Sequence, residues 1–166
     1  MATSLKNLSE FDKDKVPSAK GMRFGIVVAE WNSEITFAMA NGAQEFLVKN
    51  GAKEKDIIVK TVPGSFELIA GCKWMAEYGD VEAVIAIGTI IQGETRHFDF
   101  ICQGVTYGLS ELNMAYDDIP FIFGVLTTDN IEQAIDRAGG KHGNKGVEAA
   151  YTAIKMVALN KSMTDE

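Results

Sequence analysis

The stretch that decides the fold is Gly88-Thr-Ile-Ile-Gln-Gly-Glu-Thr-Arg-His97, which lies between an apolar run at 83–87 and a helical pattern at about 98–116. The apolar run predicts a buried strand, and the apolar spacing after the stretch predicts a helix. Gly88 and Gly93 allow the chain to turn tightly and to approach a ligand closely. Because the first N–H groups of a helix attract anions, phosphate above all, the stretch predicts an anion-binding turn.

Thr95 and His97 give this turn its chemical character. Thr95 is the candidate N-cap of the helix, and His97, one of only 2 histidines in the chain, falls in the first helical turn. An imidazole beside a bound anion titrates near neutral pH and can transfer protons. An ordinary strand-to-helix turn with a solvated histidine accounts for the same residues, so the residues alone leave both interpretations open.

Alternating strands and helices surround this unit. Apolar β-branched runs and helical spacing predict strands at 24–29, 57–62 and 121–126 and helices at 35–49, 66–78, 131–138 and 147–159. A Gly-rich loop is expected from Gly139 to Gly146. This order predicts an α/β protein of the flavodoxin-like type, a three-layer αβα sandwich with a four-stranded parallel sheet. Ligands of such sheets bind outside the carboxyl ends of the strands.

Length and composition indicate one domain with a sizeable core. Residues 1–21 are polar and of mixed charge, which predicts a flexible N-terminal arm. Residues 22–160 carry the strand and helix patterns, and residues 161–166 form a polar C-terminal tail. A secretory signal and an apolar stretch long enough to span a bilayer are both missing, so a cytoplasmic protein without a membrane partner is expected.

Charge and missing motifs argue against several classes of function. The net charge of −7 argues against a nucleic-acid-binding surface, although it allows a local cationic pocket. Walker A, G-x-G-x-x-G and G-x-S-x-G patterns are absent, which argues against nucleotide triphosphatases, dinucleotide oxidoreductases and α/β-hydrolases. Cys72 and Cys102 are far apart in apolar segments, so buried reduced thiols are expected rather than a disulfide or a metal site.

The ends of the other predicted strands contribute further candidate groups. Trp31 follows the first strand and could stack on a flat ring, or pack in the core or in an interface. Ser65 and Glu67 follow the second strand and could bind a polyol or an amide, although an acid in the first turn, such as Glu67, more commonly only complements the dipole of its own helix. Phe123, within the fourth strand, is most simply a core aromatic. A flat heterocycle with a polar tail would suit this edge of the sheet.

Cations for a phosphate would come from the two ends of the Gly-rich loop. Arg137 and Lys145 flank this loop as substrate-binding candidates, and Arg137 could hold a phosphate in bidentate fashion. Both side chains could instead be surface cations, one at a helix end and one in a loop. His142 is most simply an exposed loop residue.

Five sequence blocks, in order and with consistent spacing, carry a resemblance to a known family. They are Pro63–Glu67, Gly88–Asp99, Phe123–Thr128, Asn130–Gly139 and Gly143–Gly146. From about residue 23 to residue 160, the chain resembles the 6,7-dimethyl-8-ribityllumazine synthases. The resemblance implies the penultimate step of riboflavin synthesis, in which 5-amino-6-(D-ribitylamino)uracil condenses with 3,4-dihydroxy-2-butanone 4-phosphate to the lumazine, phosphate and water. It implies no cofactor and no metal.

The resemblance also implies roles for individual residues. Trp31 takes the aromatic place that stacks on the pyrimidine, and His97 takes the place of the proton-transfer residue. Phe123 and Arg137 match positions supplied by a neighbouring subunit, with Arg137 directed to the phosphate. The remaining matches are Ser65, Phe66 and Glu67 for the ribityl chain and ring edge, Thr89, Ile90 and Ile91 for the pyrimidine, and Glu94 and Thr95 for the phosphate.

Three positions depart from the pattern that the resemblance implies. Trp31 stands where phenylalanine is more usual, so stacking is kept while the depth of the pocket could differ. Glu94 places an acid in the anion-binding turn, so only its backbone N–H could serve there. Arg96 adds a cation beside His97 that could bind phosphate or face solvent.

A homo-oligomer with a pocket shared between adjacent subunits is a further implication of the resemblance. The family forms pentamers, and some members build icosahedral shells from them. The segment from Arg137 to Gly146 carries no insertion, which resembles the shell-forming members. The N-terminal arm could add to the sheet edge of a neighbour, and riboflavin synthase is a candidate partner.

Two other classes of function remain beside the transferase. One is a non-catalytic, shell-forming binder of flavin or lumazine compounds on the same fold. The other is a flavodoxin-like FMN electron carrier, which would be yellow and would show reversible redox spectra. His97 and Arg137 favour the transferase, because a protein that only binds has no need of this pair.

Overall fold

One four-stranded sheet with all strands parallel organises the chain, for which we use a computed structural model that describes Ser9, Phe11 and residues 15–164. Most of the arm predicted at 1–21 therefore lies outside the described residues. The strands are β1 Phe24–Ala29, β2 Ile57–Val62, β3 Ala83–Ile91 and β4 Phe121–Thr128. The helices are α1 Ser33–Lys49, α2 Leu68–Tyr78, α3 His97–Ala115, α4 Ile131–Asp136 and α5 Lys145–Thr164, with a 3-10 turn at Glu54–Asp56. The strand order is β2-β1-β3-β4.

The two faces of the sheet carry separate halves of the core. Ile26 and Ile85 pack with Ile154 of α5 on one face, and Val27 and Val84 pack against α2 and α3 on the other. Adjacent residues of a strand point to opposite faces, so each strand supplies both halves. All 6 residues of β1 are buried, as expected for a strand covered on both sides. The predicted three-layer αβα sandwich is confirmed.

Strand β3 is longer than the sequence predicts. Its apolar run suggests an end at residue 87, but Gly88 to Ile91 continue the strand and pair with Val125 to Thr128 of β4. Pairing in the sheet satisfies the backbone N–H and C=O groups of this segment, which favours the extended conformation over a turn. The turn before α3 therefore spans only residues 92–96.

The prediction of a loop at 139–146 is wrong. Ala138–Gly140 (β5) and Gly143–Asn144 (β6) form a two-stranded antiparallel hairpin. Gly139 and Gly143 have φ angles of 119° and 84°, in a region that favours glycine. The hairpin brings the end of α4 next to the start of α5.

Helix ends differ modestly from the prediction. Helix α1 begins at Ser33 and α2 at Leu68, while α4 ends at Asp136. Helix α5 continues to Thr164 instead of ending at 159, because neither glycine nor proline follows to stop it. The described part of the predicted polar tail is therefore helical.

Two described residues of the arm, Ser9 and Phe11, pack on their own chain. The Phe11 ring stacks on Tyr151 with a centroid distance of 4.1 Å and an interplanar angle of 14°. Ser9 Oγ accepts a hydrogen bond from the Asn144 N–H at 2.6 Å. These contacts place both residues beside α5 and the hairpin.

Cys72 and Cys102 are both free thiols. Burial raises the pKa of the Cys72 thiol, and burial together with the nearby Asp99 carboxylate raises the pKa of the half-buried Cys102. Within residues 15–164, Ser9 and Phe11, no group of three or more His, Cys, Asp or Glu side chains could hold a metal ion. None of the described helices is long and apolar enough to cross a membrane.

Candidate active site

A pocket lies at the carboxyl ends of β1 and β3. The chain leaves β1 towards β2 on one side and returns to β3 on the other, so the loops after β1 and β3 diverge and leave a crevice between them. The pocket has a volume of about 360 Å³. Its lining consists of Trp31, Asn32, Ser65, Phe66, Glu67, Thr89, Ile90, Ile91, His97 and Ile101.

Most of the residues predicted for the site line this one pocket. They are Trp31, Ser65, Phe66, Glu67, Thr89, Ile90, Ile91 and His97. Sequence reasoning missed Asn32 and Ile101. Ile101 could have been found, because it follows His97 by one helical turn and lies on the same face of α3. Asn32 reaches the pocket because its backbone adopts a left-handed conformation, with φ of 58°, which the neighbouring sequence does not predict.

The floor of the pocket forms where the loop after β2 reaches β3. Ser65 Oγ donates a hydrogen bond to the Thr89 carbonyl at 3.3 Å. Gly88 permits this approach, because a Cβ there would lie 2.7 Å from Ser65 Oγ. Thr89 itself is 4% exposed, and its Oγ1 has no hydrogen-bond partner in the described part of the chain. Since buried hydroxyls are normally paired, a polar ligand could satisfy this one.

Trp31 and Glu67 converge over Gly64 at the mouth of the pocket. A Cβ on Gly64 would lie 2.9 Å from Glu67 Oε2 and 3.1 Å from Trp31 Cε3, so both side chains pack directly against the Gly64 backbone. The backbone N–H of Trp31 donates a hydrogen bond to the Pro63 carbonyl at 3.1 Å, which connects this loop to the end of β2. Trp31 is 70% exposed, so it is not a core residue of this chain and its ring is free to stack.

His97 is the first residue of α3 and lines the pocket. The prediction that Thr95 is the N-cap is wrong by one residue, because Arg96 holds that position without a side-chain cap bond. Thr95 Oγ1 instead accepts a hydrogen bond from the His97 N–H at 3.4 Å. A Cβ on Gly93 would meet nothing within 4 Å, so this turn is open.

The remaining residues of the turn lie outside the pocket lining. Glu94 and Thr95 are exposed. Arg96 Nε lies 3.5 Å from Asp99 Oδ2, and both side chains are largely exposed. Such a pair contributes little stability because water screens it. In a single chain, Arg96 therefore faces solvent.

Arg137, Lys145 and Glu148 form a second cluster, at the hairpin and the first turn of α5. Arg137 Nη2 lies 2.6 Å from Glu148 Oε1, and Arg137 Nη1 donates to the His142 carbonyl at 2.6 Å. Lys145 Nζ lies 3.3 Å from Glu148 Oε2. The Arg137 and Lys145 side chains are only 19% and 28% exposed, so neither is a solvated surface cation. His142 is half-buried, contrary to the prediction of an exposed residue.

Phe123 lies neither in the core nor in the pocket. It is 37% exposed and borders an open groove of about 900 Å³ along α3, together with Phe100 and Tyr107. The prediction of a core aromatic is therefore wrong. Within one chain, Phe123, Arg137 and Lys145 do not line the pocket, and no described lysine or arginine does so.

Comparison with known proteins places this geometry in a family. Residues 21–161 match the family described as 6,7-dimethyl-8-ribityllumazine synthase. A protein of that name from Parabacteroides distasonis is 57% identical over 157 residues, which cover 95% of this chain and 98% of the relative. Proteins of the same name from Christiangramia forsetii and Bacteroides fragilis are 55% and 58% identical, over 97% and 84% of this chain and 96% and 100% of their own lengths. The chain therefore belongs to the 6,7-dimethyl-8-ribityllumazine synthase family.

Proposed function

We propose that this chain condenses 5-amino-6-(D-ribitylamino)uracil with 3,4-dihydroxy-2-butanone 4-phosphate to 6,7-dimethyl-8-ribityllumazine, phosphate and water, the penultimate step of riboflavin synthesis. The observation that carries the proposal is the pocket between β1 and β3 of a member of this family, where Trp31, Glu67, Thr89 and His97 meet. A flat pyrimidine with a polyol chain suits an exposed indole, a carboxylate and an unpaired hydroxyl.

The pyrimidine substrate is proposed to occupy the pocket itself. The Trp31 ring stacks on the pyrimidine, because it is exposed and held over Gly64. The backbone and side chains of Ser65, Phe66 and Glu67 bind the ribityl chain and ring edge. The segment Thr89–Ile91, which forms the end of β3, lies beside the ring.

His97 is proposed to transfer protons during the condensation. Attack of an amine on a ketone, loss of phosphate and ring closure depend mainly on positioning and on proton transfer. His97 lines the pocket at the first residue of α3, next to the open turn at 92–96. One imidazole there could accept a proton in one step and donate it in another.

The phosphate end is proposed to be completed by an adjacent copy of the chain. A phosphate dianion needs cations or several N–H donors, and the described lining of the pocket supplies neither Lys nor Arg. We assign the backbone N–H groups of the turn at Glu94 and Thr95 to one side of the phosphate. Arg137 and Lys145 of the neighbouring copy provide the other side, and Phe123 of that copy covers the ring.

A homo-oligomer follows from this shared pocket. We propose pentamers in the cytoplasm, assembled into an icosahedral shell, since the hairpin at 138–144 is short. Light scattering tests the shell, and a particle no larger than a pentamer or decamer would contradict it. Riboflavin synthase is the proposed partner, because it would consume the lumazine. No cofactor and no metal are needed for these proton transfers and the loss of phosphate.

Enzymatic function is favoured over the two other classes. The relatives carry the name of an enzyme, which argues against a shell protein that only binds flavin or lumazine. The position of His97 in the pocket adds a titratable group that a pure binder would not need. An FMN carrier would be yellow as purified, and a colourless sample would argue against it.

Direct assay of the purified protein tests the proposal. The two substrates are mixed with the protein, without added metal or flavin, and the fluorescence of the lumazine is followed together with phosphate release. We expect both products at equal rates, well above the uncatalysed condensation. A rate equal to that of the uncatalysed reaction would overturn the proposal.

A further inference from the structure

We infer that Glu148 is a positioning residue for the phosphate end of the substrate, acting through Arg137. The inference rests on the proposed function, because it takes Arg137 as the phosphate-binding cation. Glu148 is 15% exposed, lies in the first turn of α5 and contacts two cations that the site is proposed to use.

Two contacts fix the orientation of the Arg137 guanidinium. Its Nη2 meets Glu148 Oε1 and its Nη1 meets the His142 carbonyl, both at 2.6 Å. A guanidinium carries five N–H donors in a fixed plane, so one contact on each terminal nitrogen sets its orientation and leaves further donors for an oxyanion. Without the carboxylate, the carbonyl alone would hold the group.

The hairpin explains why residues 11 positions apart meet here. The Lys145 N–H donates to the Arg137 carbonyl at 2.8 Å, which fixes the start of α5 against the end of α4. Glu148 then falls in the first helical turn, where the helix dipole favours a negative charge. Both partners of the ion pair are thus positioned by backbone contacts.

Charge balance gives Glu148 a second effect on the same site. Its Oε2 lies 3.3 Å from Lys145 Nζ, so one carboxylate separates two cations. The three side chains carry one net positive charge, and the repulsion between the guanidinium and the ammonium is screened before any phosphate binds. Removing the carboxylate would leave a half-buried arginine and a lysine unpaired and free to reorient.

A double-mutant cycle tests the inference on the full oligomer. Arg137→Ala, Glu148→Ala and the double variant are compared by the KM for the butanone phosphate. We expect Glu148→Ala to raise this KM about tenfold, with less effect on kcat and no effect on the KM for the pyrimidine. The double variant should be no worse than Arg137→Ala alone, since Glu148 acts through Arg137. Effects that multiply would overturn the inference.

A conservative variant and a control separate positioning from general damage. Glu148→Gln keeps an oxygen for Arg137 Nη2 and should return the KM to within about threefold of the original protein. Glu132→Ala, the same change at an exposed site on α4, should leave it unchanged. If Arg137→Ala raises the KM while Glu148→Ala and Glu148→Gln do not, only the inference fails. If Arg137→Ala leaves the KM unchanged, the phosphate assignment fails with it.

Discussion

Thr89 is the described residue whose hydrogen-bonding needs are least satisfied in the free chain. Its Oγ1 is buried without a partner, whereas the hydroxyl of Thr128, 7% exposed on β4, donates to the Asn130 carbonyl at 3.0 Å. A buried hydroxyl without a hydrogen bond lowers the free energy of unfolding, whereas a hydrogen-bonded one raises it. The two threonines therefore form a matched pair for mutation.

Thr89→Val should stabilise the free protein and weaken substrate binding. Removing the unpaired hydroxyl should raise the free energy of unfolding by about 1 kcal/mol, while the KM for the pyrimidine substrate rises because a ligand contact is lost. Urea unfolding at fixed protomer concentration and steady-state kinetics measure the two effects. Thr128→Val is the control and should be destabilised. A destabilised Thr89→Val with unchanged KM would contradict the assignment.

His97→Ala should slow the reaction moderately. The loss in kcat is expected to be roughly 10- to 100-fold, because a proton-transfer group is removed while the positioning of both substrates is kept. Stability should not change, since His97 is exposed and its imidazole has no hydrogen bond within the described residues. Rapid-mixing fluorescence of the lumazine provides the rate. An unchanged kcat would show that His97 is not the proton-transfer residue.

At the scale of elements, Asn144 joins the hairpin to both long helices on its face of the sheet. Its Oδ1 accepts from the Gly146 N–H at 2.8 Å and caps α5, while its Nδ2 donates to the Ala38 carbonyl of α1 at 3.0 Å. Gly42 makes room for this amide, because a Cβ there would lie 2.6 Å from Nδ2. The position of the Arg137–Glu148 cluster therefore depends on the Asn144 side chain, which fixes the start of α5 against α1.

Asn144→Ala should destabilise the chain by about 2–3 kcal/mol, since it removes a helix cap and a contact between helices. Asn144→Asp keeps the capping oxygen but loses the donor, so an intermediate loss is expected. Asn130→Ala removes only the cap of α4, a bond of 2.9 Å from the Gln133 N–H, and should cost about 1 kcal/mol. Urea midpoints at fixed protomer concentration rank the three. Equal losses for Asn144→Ala and Asn130→Ala would contradict this role.

On the scale of the whole molecule, several large apolar side chains are exposed. Phe100, Tyr107 and Trp74 are 67%, 69% and 58% exposed, and the first two border the groove along α3. Large exposed apolar patches are typical of association surfaces. Phe123 borders the same groove, so docking there would bring a second copy close to a residue proposed for the shared site.

Mixed assemblies should be more active than either parent variant alone. His97→Ala and Arg137→Ala chains are co-refolded in equal amounts and assayed at low butanone phosphate concentration. If each site combines His97 of one copy with Arg137 of the next, roughly a quarter of the sites are intact by random mixing. The control is the original chain mixed in equal amounts with the double variant. If the site is shared between copies, about a quarter of the sites in this control are intact; if the site lies within one chain, about half are intact. No recovery in the first mixture would show that the pocket is not shared.

Local sequence patterns were sufficient to predict the bounds of elements that end at turn-forming residues. The bounds of β1 and β2 agree with the prediction, because short β-branched runs end there at turn-forming residues. The end of β3 could not be predicted, since Gly88 to Ile91 are held extended by β4, which is distant in sequence. The hairpin at 138–144 was missed for a different reason: its two strands are close in sequence, but they are short and rich in glycine and carry no alternating apolar pattern.

The sequence by itself determined the α/β class, the parallel sheet and most of the pocket residues, because parallel strands bring their carboxyl ends to one edge whatever the details of packing. Only the tertiary structure decided that Thr89 keeps an unpaired hydroxyl, that Trp31 lies across Gly64, and that Glu148 holds Arg137. These facts depend on distances between side chains from separate elements, and such distances result from packing rather than from any local pattern.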